Sequence, residues 1–221
     1  CVHRLGGSDL HVDVIPNGVD ANVFHPMERD AARAALGWPA DVPHILAVGH
    51  QQFVKGFDRL LSAMPAILDA LPTARIVLIG SRRGERWFQR RLHRTARQLI
   101  LRFGRNSSAG PVILHEPVGP EMLNRIYNAA DVLVCPSRSE GWCNAIAEAL
   151  AAGTPVVATD VGGNAEQVCS PDLGLIVPDG DIAAMAESII LALGTRWDRV
   201  RIASAGASRS WNHAADEVIR V

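Results

Sequence analysis

Short apolar runs recur along the chain at 44–48, 75–79, 112–115, 132–135, 156–159 and 175–177. Each is three to five residues long and flanked by Gly, Pro, Asp, Ser or His, so each is read as a buried strand rather than a helix. Between them, apolar residues fall at three- and four-residue spacing, which predicts helices over 28–36, 57–71, 85–103, 121–128, 144–152, 182–193 and 212–219. Pro65 is expected to kink the second of these, and Gly153 to close the fifth. Strands that are apolar throughout, alternating with helices, predict an α/β fold. The expected form is a Rossmann-like, doubly wound, mostly parallel sheet with helices on both faces. The ligand crevice of such a sheet lies beyond the carboxyl ends of the strands, where Gly49, Gly80, His115 and Ser137 fall.

The stretch 136–160, PSRSEGWCNAIAEALAAGTPVVATD, carries the densest candidate chemistry. Glu140 sits in the expected loop and Glu148 on the expected helix. Asn144 and Glu148 are four apart and share a helix face. Backbone amides from Gly141 through Trp142 and Cys143 to Asn144 lie at the helix start, where unpaired donors attract anions and polar oxygens. A carboxylate accepts two hydrogen bonds at once, so Glu148 can clamp a vicinal diol such as a ribose, and Glu140 can hold sugar hydroxyls. Taken alone, the two acids equally describe a dipole-stabilising carboxylate and a solvated helix glutamate.

The order of several blocks chooses between these readings. The blocks are VIPNGVDANVFHP from 14, AVGHQQFVKGFDRLL from 47, ARIVLIG from 74, IYNAADVLVCPSRSEGW from 126, AEALAAGTPVVATDVGGNAE from 147 and GLIVPDGD from 174. Together they cover most of the chain, which resembles the donor-binding, C-terminal domain of the family-four retaining glycosyltransferases, enzymes of the two-lobed GT-B architecture. The resemblance implies a nucleoside-diphosphate sugar, UDP- or GDP-linked, as donor, with no other cofactor and no metal. It implies that Lys55 and Glu140 act at the reacting centre. The donor diphosphate is expected to meet Gly49, His50, Lys55 and the amides of Gly141, Trp142, Cys143 and Asn144. Glu148 is expected at the ribose, and Pro117 and Val118 at the base.

Two positions depart from the family pattern. His50 stands where an arginine is usual, a side chain whose charge changes near neutrality, so donor affinity is expected to weaken as pH rises. Glu116 stands in a His-Gly-x-Val block where glycine is usual, and favours a donor-rich base such as guanine. Gly162-Gly163 serves either to let backbone approach a diphosphate or as a plain turn into a short helix.

At 221 residues the chain suits one buried α/β domain better than two. The resemblance divides it into an interlobe lead-in (1–26), a nucleotide-sugar-binding domain (27–206) and a C-terminal helix (207–221). That helix is expected to pack on an acceptor-binding lobe lying outside this sequence, which opens at Cys1 rather than Met. The isolated chain is then expected to turn over little, with Trp211, Val218 and Ile219 forming an apolar patch. Transfer would serve glycan or cell-envelope polysaccharide synthesis. The alternative is a non-catalytic nucleotide-sugar-binding or interaction module acting with a partner subunit.

Composition narrows these readings further. Among 22 basic residues Lys55 is the single lysine. It precedes Gly56 at an expected loop-to-helix junction, where a flexible ammonium can follow a phosphate as its charge rises. Between Arg82 and Arg105 lie nine arginines and one acid, Glu85, a local charge of +8 in a chain of net charge −1. Phe88, Leu92, Leu99 and Phe103 follow helical spacing within it. The segment is read either as a solvated helix covering the sheet or as a peripheral contact with an anionic membrane. Nucleic acid is disfavoured because the basic charge is confined there and no aromatic stacking platform accompanies it. Neither Gly-x-Gly-x-x-Gly nor Gly-Lys-Ser/Thr occurs in the Gly49–Gly56 stretch, which disfavours hydride-transfer and P-loop chemistry. No apolar run or signal-peptide pattern predicts membrane insertion, so a cytoplasmic protein is expected. Cys1, Cys135, Cys143 and Cys169 show no close-paired spacing for a zinc site or disulfide framework, and Cys143 is either a packing thiol or one activated by the helix start.

Overall fold

A computed structural model describes residues 13–104 and 110–220, so the first twelve residues of the lead-in, Cys1 among them, and Arg105 lie outside the described residues. The strands are β1 (His44–Val48), β2 (Arg75–Ile79), β3 (Val112–His115), β4 (Val132–Cys135), β5 (Val156–Thr159) and β6 (Gly174–Val177). They form one parallel sheet in the order β3-β2-β1-β4-β5-β6. The helices are α1 (Arg29–Leu36), α2 (Phe57–Ala70), α3 (Arg86–Phe103), α4 (Pro120–Ala129), α5 (Asn144–Ala151), α6 (Asn164–Gln167), α7 (Ile182–Gly194), α8 (Arg199–Gly206) and α9 (Trp211–Arg220).

Side chains alternate across each strand, and so the sheet divides the apolar residues into two cores. Ile45, Ala47, Ile76, Leu78, Val132 and Val134 pack against α2, α3 and α7. Leu46, Val77, Ile79, Leu133 and Cys135 pack against α4, α5 and α8. Full burial of a Leu or Ile contributes roughly 1.5–3 kcal/mol, so this double-sided packing is the main source of stability. In α3 the buried residues are Phe88, Leu92, Ala96 and Leu99, one stripe of a helix whose described arginines are all exposed.

The expected strands are present, with β6 beginning one residue earlier at Gly174. Pro65 lies inside α2, which continues through it to Ala70. Helix α8 was not anticipated. It buries only Ile202 and Ala203 and so has no apolar stripe to announce it. Its one local signal is Asp198, which accepts from the Arg201 N–H at 3.0 Å. The flanking segments pair with each other: Val19 bridges Ser210, and Arg209 donates to the Pro16 carbonyl. Trp211, Val218 and Ile219 of α9 are exposed.

Candidate functional site

The strand order reverses between β1 and β4, which opens a crevice beyond their carboxyl ends. A cleft of about 380 Å³ lies there. Of the residues singled out from sequence, Gly49, His50, Lys55, Pro117, Val118, Trp142, Cys143, Asn144 and Glu148 line it. Glu140 and Gly141 lie outside the lining. Sequence reasoning missed Ser81, Leu123 and Ala145, which also line the cleft.

Lys55 ends a 3-10 turn, Phe53–Lys55, and its Nζ donates to Glu140 Oε1 at 2.6 Å. Burial by itself would lower the lysine pKa, but the hydrogen bond and charge of Glu140 outweigh it and raise the pKa above its ordinary value. The ammonium is therefore charged throughout the neutral range. Ser137 donates to the same Glu140 oxygen at 2.7 Å. Glu140 thus acts here as the holder of the lysine.

Arg138 locks the two loops that carry this pair. Its N–H donates to the Val54 carbonyl at 2.7 Å, and its guanidinium grips Asp58 through two bonds of 2.9 Å while stacking over Phe53 at 3.8 Å. Gly56 makes the close approach possible: a Cβ there would come within 1.9 Å of the Pro136 carbonyl oxygen.

Glu148 is fixed by Tyr127, a fully buried side chain whose hydroxyl donates to Oε2 at 2.8 Å. Burial raises the Glu148 pKa, and the Tyr127 bond opposes the rise. Asn144, one turn earlier, has its Oδ1 occupied by Asn17 Nδ2 at 3.0 Å, tying the lead-in segment to the helix start. His50 Nδ1 is 2.7 Å from Ser81 Oγ, which orients the imidazole at the cleft wall. The Trp142 indole N–H is buried without an acceptor among the described residues.

The two readings of Gly162-Gly163 now separate. Gly162 has φ +54, and a Cβ there would meet the Glu140 carbonyl at 1.9 Å, while the Gly163 N–H donates to the Gly141 carbonyl at 3.0 Å. Neither residue lines the cleft; the turn braces the loop that does. Helix α6 completes the brace. Asn164 bonds the Thr159 carbonyl at 3.0 Å, Thr159 Oγ1 bonds the Ser137 carbonyl at 2.6 Å, and the Gln167 amide pairs with the N–H and carbonyl of Cys143, each at 3.1 Å.

Cys135 and Cys143, eight apart in sequence, place their sulfurs 3.7 Å apart as buried free thiols. The spacing hid this contact because β4 and α5 fold back on each other. Glu116 is exposed and pairs with Arg82 at 3.4 Å, outside the cleft lining and next to Pro117, which is part of it.

The cleft thus presents one ammonium, the helix-start residues Trp142, Asn144 and Ala145, a carboxylate acceptor on α5 and an apolar wall at Val48, Ile79 and Leu123, while the Cys143 N–H, expected at the diphosphate, is taken up by Gln167. That set suits a ligand with an anionic middle, a hydroxyl-bearing ring and a flat apolar end. Among the described residues, no group of three or more His, Cys, Asp or Glu converges as a metal site.

The profile of the family described as "Glycosyl transferases group 1" matches residues 42–194. A D-inositol 3-phosphate glycosyltransferase of Xylanimonas cellulosilytica is 36% identical over 99% of this chain and 52% of its own length. The protein of the same name from Mycolicibacterium smegmatis is 36% identical over 94% of this chain and 46% of its own length. The chain therefore spans about half the length of the curated relatives it matches. Among solved structures, a sucrose-phosphate synthase of Thermosynechococcus elongatus superposes with a TM-score of 0.79 at 29% identity, over 99% of this chain and 54% of that one. A glycosyltransferase of Rickettsia africae superposes equally well, with a TM-score of 0.79, at 20% identity over 99% of this chain and 59% of its own.

Proposed function

This chain belongs to the Glycosyl transferases group 1 family, and from that premise we propose that it is the donor-binding half of a retaining transferase. The donor is a nucleoside-diphosphate sugar, UDP- or GDP-linked, and the acceptor is a hydroxyl compound of glycan or cell-envelope synthesis. The observation that carries this reading is that Lys55 and Glu148 line one cleft at the point where the strand order reverses. Lys55 Nζ and the N–H groups at the start of α5 take the diphosphate, with His50 beside them. Glu148, held by Tyr127, takes the ribose diol, and the Pro117-Val118 backbone takes the base. As the bond from the anomeric carbon to the diphosphate breaks, charge grows on the leaving oxygens, and Lys55 swings from Glu140 toward them. Glu140 is then released to the sugar hydroxyls and to the developing positive charge at the anomeric carbon.

The acceptor and the remaining catalytic groups come from a second lobe, in the same chain or a separate subunit, and the exposed Trp211, Val218 and Ile219 of α9 are the proposed contact with it. Transfer needs both reactants positioned across the cleft, so this chain by itself binds donor and turns over little.

Calorimetric titration with UDP, GDP, ADP and their sugar conjugates tests the reading. A nucleoside-diphosphate preference is expected, weakened about 10- to 100-fold in Lys55→Ala, the range for one charge-assisted bond. Equal binding by the variant would remove Lys55 from the diphosphate site. We further propose that α3 rests on anionic membrane, supported by its exposed arginines beside exposed Trp87, Ile100 and Leu101. Binding to phosphatidylglycerol vesicles over phosphatidylcholine is expected, and its persistence in an Arg90→Gln, Arg91→Gln, Arg94→Gln variant would refute the contact.

A further inference from the structure

A second polar cavity, of about 420 Å³, opens at the opposite end of the sheet, beside the amino end of β4. It is walled by Arg29 at the start of α1, by Asp131, by Arg196 and Trp197 after α7, and by Arg199 at the start of α8. Buried Arg33 lies directly behind, bound to Asp131.

The charges in this cavity do not balance. Asp131 is the one carboxylate in the wall, and its oxygens are already occupied by Arg29 at 3.0 Å, Arg33 at 2.6 Å and the His44 N–H at 2.7 Å. Arg199 bonds only neutral groups, the Asn128 carbonyl at 3.1 Å and the Ala130 carbonyl. The Arg196 side chain has no ion pair or hydrogen bond to any described residue. Asp198 faces the Arg201 N–H as a helix cap. Burial, reinforced by Arg29 and Arg33, pulls the Arg199 pKa down to about 10. The same surplus shows at His44, whose pKa falls to about 4 through burial first and Arg33 next. A desolvated guanidinium beside two others, with unused N–H groups facing an open cavity, is what an oxyanion completes.

We propose that this cavity is a binding site for a phosphoryl group, borne by inorganic phosphate or by a small phosphorylated metabolite, with Arg196 and Arg199 as its principal donors. Guanidinium forks match phosphate oxygens two at a time, and Arg29 adds its free N–H groups at the rim. The site is independent of the donor cleft, because the two lie at opposite ends of the strands.

The test is calorimetric titration of the full chain with inorganic phosphate and with pyrophosphate at constant ionic strength. Lys55→Ala is used as the background, so that any diphosphate binding in the donor cleft is suppressed. Saturable binding in the millimolar range or tighter is expected to survive Lys55→Ala and to weaken about tenfold in Lys55→Ala, Arg196→Gln. Arg196 is exposed and has no ion pair among the described residues, so its replacement is expected to leave the fold intact, which circular dichroism checks. Arg220→Gln, an equal loss of an exposed charge at the end of α9, is expected to change nothing. Absence of saturable binding in the Lys55→Ala background, or an Arg196→Gln effect no larger than that of Arg220→Gln, would overturn the site. Weaker binding of inorganic phosphate than of pyrophosphate would identify a phosphorylated metabolite as the better ligand class.

Discussion

The two ends of the sheet use positive charge in opposite ways. At the amino end, Arg33, Arg199 and Arg29 are fixed on backbone carbonyls and Asp131, and the bonds close the joints between α1, α4, α8 and the sheet. At the carboxyl end a single flexible ammonium, Lys55, itself a quarter exposed, rests on one largely buried carboxylate, Glu140. A planar, always-charged fork suits the first task, and a compact charge on a long stem suits the second. The contrast separates residues that hold the molecule together from residues free to change partners.

The sharpest way to break that comparison is Arg33→Met. Its guanidinium is 2% exposed as a residue and bonds two carbonyls and Asp131, so about 3 kcal/mol of stability is expected to be lost in urea unfolding. Nucleotide affinity of the folded fraction should hold. A loss below about 1 kcal/mol, the scale of a surface pair, would place both ends in one class. Lys55→Ala should show the reverse profile: a large fall in donor affinity with a stability loss well below that of Arg33→Met, because the lysine end of the pair is a quarter exposed and Ser137 still donates to Glu140.

Glu148→Gln gives the smallest and most discriminating effect. Burial raises the Glu148 pKa in the folded chain, so folding favours its protonated form. The ionised carboxylate therefore costs stability as pH rises from the unfolded to the folded pKa, and the cost is complete above the latter. The glutamine variant should match the wild type in acid and be slightly more stable at neutral pH, while losing preference for UDP over 2′-deoxy-UDP. Equal stability profiles with retained ribose preference would show that Glu148 is only a packing partner of Tyr127.

Much of the cleft was legible because its residues sit at fixed offsets from strand ends, and strand ends are marked by apolar runs. Gly49 and Gly80 were found in that way, Asn144 and Glu148 by their four-residue helical spacing, Lys55 as the single lysine before Gly56, and His50 through the family resemblance. Tyr127, Ser81, Asn17 and Gln167 were not, since each lies in a different element and meets the site only through long-range contact. The thiol pair Cys135 and Cys143 was hidden for the same reason. The Gly162-Gly163 turn was ambiguous by sequence, because glycine serves a ligand and a neighbouring backbone equally well.

Sequence alone determined the strand and helix alternation, the doubly wound parallel class, the placement of polar residues at strand carboxyl ends and the isolation of one lysine among arginines. These depend on local periodicity and chain order. Only the tertiary structure decided which carboxylate holds Lys55, which groups brace the loop after β4, and that Arg29, Arg33, Arg196 and Arg199 gather around one aspartate. Those outcomes depend on which side chains from distant segments share a volume and on whether their charges balance within it, and no pattern along the chain records either.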